Sequence, residues 1–225
     1  MREHPVTLLE LLDESARRAP DRAFLIERDA RDVWHQVSFA TVAERSRRVG
    51  AALRDLGASP ERPVMILSGN GIDHAMIMFG ALRAGIPVVP VDAATGLSAH
   101  DRFARLRAIA DAVRPGVVFA RDAAAYAAGA LTAAPNAAYV CATEAPRGVR
   151  AHDYARLSAH PPLASGALNA DIVAKVLFTS GPTGEVKGVV VTHAMICAML
   201  QGIAQAWPFL DDHPPVVVDR LPWSH

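Results

Sequence analysis

The chain has 225 residues, 23 Lys+Arg against 23 Asp+Glu, and is 51% hydrophobic. That balance argues against a nucleic-acid or acidic-membrane partner held by bulk charge, and the apolar content argues against a disordered chain. Its longest apolar runs, such as residues 75–82, are too short to span a bilayer, and Met1-Arg2-Glu3-His4-Pro5 lacks the apolar stretch of a signal peptide. A cytoplasmic protein without membrane contact is the expectation. Cys141 and Cys197 lie far apart in apolar stretches, which predicts buried free thiols. None of the nine histidines pairs with Cys or a carboxylate at zinc-ligand spacing, so no metal-ligating residue is assigned.

Thr7 can cap a helix carrying Leu8, Leu9, Leu11 and Leu12. Residues 23–26 and 33–37 flank a charged turn and predict a hairpin. Ser38 starts a helix reaching about Leu56, with Val42, Val49 and Leu53 on one stripe; Arg45, Arg47 and Arg48 fall on its solvated side. Residues 64–67 read as a strand buried on both faces, and residues 70–84 as a helix. Residues 86–91 form another buried run, but Pro87 and Pro90 predict an irregular or edge position. Ser98 and Asp101 have the spacing of a capping box, followed by Phe103, Leu106, Ile109 and Val113 at helical spacing. Residues 117–119 and 138–142 supply further short strands. The alanine-rich stretches 123–130 and 133–138 read as helix or loop.

Strands alternating with helices predict an α/β fold, a mostly parallel sheet flanked by helices. We divide the chain into a first α/β subdomain (1–142), a Pro- and Gly-containing connection (143–170), and the start of a second sheet subdomain (171–225). In the last part a helix runs from about His193 to Trp207, capped by Thr192, and residues 216–218 read as a final strand. His74 is expected near the core, His193 at a helix start, and Trp223 in packing.

Between two apolar runs lies Thr179-Ser180-Gly181-Pro182-Thr183-Gly184-Glu185-Val186-Lys187-Gly188. Glycines let backbone N–H groups approach an anion, hydroxyls add donors, and Lys187 adds a positive charge. A surface turn uses the same residue types for conformational reasons, but not with so many informative positions in a row. The Walker A pattern fails, because Val186 stands where it needs glycine and Gly188 where it needs Ser or Thr. Residues 189–192 are all β-branched, so a strand follows the loop.

The segment Phe178-Thr179-Ser180-Gly181-Pro182-Thr183-Gly184-Glu185-Val186-Lys187-Gly188-Val189, with Thr192-His193 after it, resembles the phosphate-binding signature of AMP-forming adenylating enzymes. The resemblance covers nearly the whole chain and identifies the fold as the N-terminal part of the adenylate-forming fold. Pro182 and Val186 depart from the signature. Pro182 removes a hydroxyl and an N–H, and each charge-assisted hydrogen bond missing from the cradle costs about 1.5–3 kcal/mol. Within the superfamily, Ser68-Gly69-Asn70-Gly71-Ile72-Asp73-His74-Ala75, Trp207-Pro208-Phe209-Leu210 and Val218-Asp219-Arg220-Leu221-Pro222-Trp223-Ser224-His225 are similar to feruloyl-CoA synthases.

The resemblance implies ligation of a carboxylic acid, an aryl acid such as ferulate, to the thiol of CoA. ATP and Mg²⁺ drive it through an acyl-adenylate. It assigns Thr179, Ser180, Gly181, Thr183, Gly184 and Lys187 to the β- and γ-phosphates, and His225 to the acyl-carboxylate pocket. Members of the superfamily are more than twice this long, so the chain is expected to be a truncated portion without turnover of its own. An exposed apolar face, covered by a second copy in a homo-oligomer, is also expected. The alternative from another class is a non-catalytic phosphate-binding or assembly module acting with a partner chain.

Overall fold

The computed structural model describes residues 7–97, 103–164, 166, 168–180, 186–212 and 214–224. In chain order the elements are α1 (Leu8–Arg18), β1 (Ala23–Arg28), β2 (Trp34–Ser38), α2 (Phe39–Asp55), β3 (Val64–Ile66), α3 (Ile72–Arg83) and β4 (Val88–Pro90). There follow α4 (Ala93–Leu97), α5 (Ala104–Val113), β5 (Val117–Ala120), α6 (Ala123–Ala133), β6 (Ala138–Cys141), β7 (His152–Asp153) and α7 (Tyr154–Leu157). The last are β8 (Val173–Ser180), β9 (Val186–Thr192), α8 (His193–Ala206) and α9 (Phe209–Asp212).

The predicted caps are present. Thr7, Ser38 and Thr192 each accept from the backbone N–H three residues on, at Glu10, Thr41 and Met195. The predicted hairpin is β1–β2, a separate antiparallel pair. The other seven strands form one sheet in the order β7-β6-β5-β3-β4-β8-β9, parallel except for β8–β9. The predicted α/β class with a mostly parallel, helix-flanked sheet is therefore the observed one. The proposed Ser98–Asp101 capping box lies outside the described residues.

Period-two alternation divides each buried strand between two cores. Val64, Ile66, Val88, Val117, Phe119 and Val140 face the side carrying α1, α2 and α3. Met65, Leu67, Val89, Val118, Tyr139 and Cys141 face α5 and α6. Both faces are apolar, which is why these strands read as unbroken hydrophobic runs. Both cysteines are free and buried, and burial pushes each thiol up. No helix among the described residues is long and apolar enough to cross a membrane.

Two expectations are corrected. Residues 86–91 are not at an edge, since β4 lies between β3 and β8, although only residues 88–90 are strand. The prolines are accommodated by alternation. The Pro87 carbonyl and the Val91 N–H bond β3, at Val64 N–H and Ile66 O (3.0 and 2.9 Å). Pro90, on the alternate phase, points its missing N–H toward β8, where the ladder consists of one register pair, Val88↔Lys175. Residues 216–218 are not a strand. They have no ladder partner among the described residues, with Val216, Val217 and Val218 76–95% exposed. β-branched composition favours extended backbone, but a strand also needs a neighbour. The expected exposed apolar surface is present here and along α8, where Met195, Met199, Ile203 and Trp207 recur every four residues in the open.

α2 and α3 cross at close range through Gly50 and Gly80. A Cβ at Gly80 would lie 2.5 Å from Val49 Cγ1, and one at Gly50 would lie 2.5 Å from the Gly80 carbonyl oxygen. Gly80→Ala should therefore cost about 1–3 kcal/mol by overpacking, although alanine is the better helix former. Urea unfolding of the two chains checks this, and an unchanged midpoint would refute it. α1 is fastened across α2 and α3 by Asp13. Its carboxylate accepts two hydrogen bonds from Arg83 (2.6 and 2.7 Å), and Arg47 lies 3.5 Å away.

Candidate nucleotide site

The carboxyl ends of β3, β4, β5 and β8 share one edge of the sheet, the edge at which open α/β sheets take their ligands. β8 delivers Thr179 and Ser180 there, and β9 leaves carrying Lys187. The predicted loop is shorter than its sequence signature. β8 and β9 pair antiparallel as far as Thr179↔Lys187 and Ser180↔Val186, which leaves residues 181–185 to join them. Directly opposed residues project to the same face, so Thr179 and Lys187 stand side by side. Both are exposed, and Lys187 forms no ion pair among the described residues.

The hairpin is anchored from its other face, where Val176, Phe178 and Val186 pack on the core beside α5. Gly188 faces Phe178, and a Cβ there would come within 3.3 Å of the ring. The structure thus brings Thr179 and Lys187 together and sets the Ser180 backbone in β8. Gly181, Thr183, Gly184 and His225 lie outside the described residues, and the Ser180 side chain is likewise not described.

A cleft of about 300 Å³ opens on the same edge, lined by Ser68, Asn70, Asp92, Asp219, Trp223 and Ser224 among others. His74, in the first turn of α3, is buried beneath it. Burial holds its imidazole down to about 4, against a hydrogen bond to the Gly69 carbonyl that favours the charged form. Trp223 stands edge-on to His74 with ring centroids 5.2 Å apart. The expected packing role of Trp223 and core position of His74 are observed. His193 opens α8, fully buried, with Nδ1 accepting from the Leu8 N–H (3.4 Å). Its Nε2 has no partner among the described residues, and burial lowers its basicity.

A second group of residues escaped the sequence reading. Arg121, just past β5, donates to both carboxylate oxygens of Glu27 at 3.0 Å and pairs with Asp73 at 3.2 Å. Glu27 also accepts the Ile72 N–H (2.9 Å), capping α3 in place of Gly71, which has no side chain to do so. A Cβ at residue 71 would fall 2.3 Å from an Arg121 nitrogen, so a side chain there would push the Arg121 and Glu27 tips aside. The strand order reverses at β3/β5, and the hairpin β1–β2 fills that crevice with its own carboxylate. The signal was an arginine placed directly after a buried strand. Its partners lie 94 and 48 residues earlier, beyond any local pattern.

The sequence model of the AMP-binding enzyme family matches residues 12–225, and the chain belongs to that family. It is 36% identical over 110 residues to the salicyl-AMP ligase / salicyl-S-ArCP synthetase of Mycobacterium tuberculosis, covering 42% of this chain and 20% of the relative. The fold matches a fatty acyl-adenylate ligase from L. pneumophila, solved with acyl adenylate and pyrophosphate (TM-score 0.67, 19% identity, 91% of this chain and 33% of that one). It also matches ATP-bound MatB from Rhodopseudomonas palustris (TM-score 0.70, 22% identity, 95% and 41%). The chain spans 1% of one curated relative's length and 20% of another's, so it corresponds to a small part of each.

Proposed function

We propose that the chain forms the phosphate-gripping part of an ATP-dependent carboxylic acid–thiol ligase that works through an acyl-adenylate. The observation that carries this is the Thr179–Lys187 pair, an exposed hydroxyl beside an exposed amine without an acid partner among the described residues, at the ligand-binding edge of the sheet. Around it Ser180, Gly181, Thr183 and Gly184 supply further hydroxyl and backbone donors. When the acid's carboxylate attacks the α-phosphate, charge gathers on the departing pyrophosphate. Lys187 meets that charge with a fixed positive one, and the loop donors orient it.

Mg²⁺ would arrive with the triphosphate. Among the described residues no cluster of three or more His, Cys, Asp or Glu side chains is placed to hold an ion. His225 would face the acid, and CoA would be the acceptor. An aryl acid such as ferulate is our choice of substrate, supported by the aryl-acid relative from Mycobacterium tuberculosis and by the 218–225 segment.

Calorimetric titration of pyrophosphate into the chain tests the reading, and absence of saturable binding would remove it. Ferulate-dependent release of pyrophosphate from ATP, assayed on a ligase that contains this part, would identify the acid. Pyrophosphate binding by the chain with no release by such a ligase for any aryl acid would favour the second reading, a phosphate-binding module acting with a partner chain. The exposed apolar row on α8 speaks for such a partner.

A further inference from the structure

Asn70 sits in the β3–α3 connection and spans to a part of the chain about 150 residues later. Its Nδ2 donates to the Leu221 carbonyl at 2.7 Å, and its Oδ1 accepts the Trp223 N–H at 2.9 Å. One side-chain amide thus makes the paired bonds that a neighbouring strand would make, bracketing Pro222, which has no N–H to offer. The carbonyl and N–H it meets also fix which way the amide is turned.

The contact closes a circuit. His74 bonds the Gly69 carbonyl (3.2 Å) and steadies the loop that carries Asn70. Asn70 holds Leu221 and Trp223. Trp223 returns to cover His74 with its ring edge, while its Nε1 donates to Asp219 (3.1 Å). Asp219 also accepts the Leu221 N–H at 2.8 Å, which makes residues 219–223 a compact turn ready to be docked. Without that turn the cleft over β3 and β4 would lose its Trp223–Ser224 wall.

We infer that Asn70 is the positioning residue that docks residues 221–224 across the start of α3 and so fixes the Trp223–Ser224 wall of the cleft. The docking does not rest on the proposed function. Asn70 touches no reacting group in this scheme and acts only through the segment it holds.

The test uses the 225-residue chain with Asn70→Ala and Asn70→Asp, read by NMR. Asn70→Ala should speed hydrogen exchange of the Trp223 amide about tenfold or more, the worth of a single hydrogen bond. It should also uncover His74, whose titration then rises from about 4 toward its ordinary 6.5, with Lys175 and Arg121 the charged groups that still oppose its protonation. Exchange of the β3 and β5 core amides should not change. Asn70→Asp keeps the acceptor for Trp223 and loses the donor to Leu221, so it should fall between the two.

His74 still titrating near 4 in Asn70→Ala, or an unchanged Trp223 amide, would show that the segment is held without Asn70. A uniform quickening of core amides would show a general loss of stability and would equally overturn the positioning role. Pyrophosphate affinity of the wild type, followed in the same samples, tests the proposed function separately. A wild type that binds none condemns the proposed function and leaves both NMR readouts to decide the docking.

Discussion

Lys187→Ala is expected to weaken pyrophosphate binding about 10- to 150-fold, because it removes one charge-assisted hydrogen bond worth about 1.5–3 kcal/mol. The upper part of that range is reasonable because Lys187 has no carboxylate among the described residues to release before it meets an anion, and removing it leaves no partner stranded. The fold should be indifferent. Lys187 is exposed on β9, and its ladder with Thr179 is made by backbone groups. Lys187→Arg should restore part of the affinity, because charge is kept while the compact ammonium is exchanged for a planar fork. The affinity should also fall with added salt, as for any exposed ion pair. Titrations of wild type and both variants at two salt concentrations decide the matter. Equal affinities for wild type and Lys187→Ala would take Lys187 out of the site.

The second large effect is predicted for Arg121. Arg121→Leu leaves Glu27 and Asp73 facing each other, each with a side chain 25% exposed. A fully buried pair broken this way costs more, but here water reaches the cluster, and we expect about 1–3 kcal/mol at pH 7. The loss should depend on pH in a defined direction. Burial raises the Asp73 carboxyl above its ordinary 3.8, and the charge of Arg121 pulls it back.

A carboxyl raised in the folded state favours folding at low pH, and that contribution disappears as pH climbs through the raised value. Without Arg121 the carboxyl rises further. The deficit of Arg121→Leu should therefore be largest at neutral pH and shrink toward about pH 4, as Asp73 takes up its proton. Urea midpoints at the two pH values test this, and a deficit that grows on acidification would contradict it.

Much of the scaffold was legible because it is local. Thr7, Ser38 and Thr192 cap helices through hydrogen bonds three residues away, and buried parallel strands declare themselves as short apolar runs. The errors arose where position in the sheet decides. Pro87 and Pro90 read as edge residues, because nothing in a one-dimensional string says which neighbour each proline faces. Residues 216–218 read as a strand, because β-branching is visible in a sequence and a missing ladder partner is not. The phosphate segment was legible as a motif, although the hairpin turned out to hold Lys187 inside β9. Asn70, Glu27 and Arg121 were not singled out for these interactions. Each works through partners 48 or more residues away, or 45 for the Glu27 cap on Ile72, and no spacing rule connects them.

The single rung between Val88 and Lys175 has a consequence for how the molecule comes apart. The β8–β9 pair is zipped along seven register positions within itself and continues directly into α8. Backbone pairing therefore ties the arm to the β3–β4–β5 centre weakly, and the packing of Val176, Phe178 and Val186, together with that of the buried His193, is what must break for the arm to open as a unit. Native-state amide exchange should show the amides of that arm opening together and ahead of the central strands. The proposed grip on phosphate would then rest on a piece joined to the sheet by side-chain packing more than by backbone rungs, and an anion closing on it would act as a clasp.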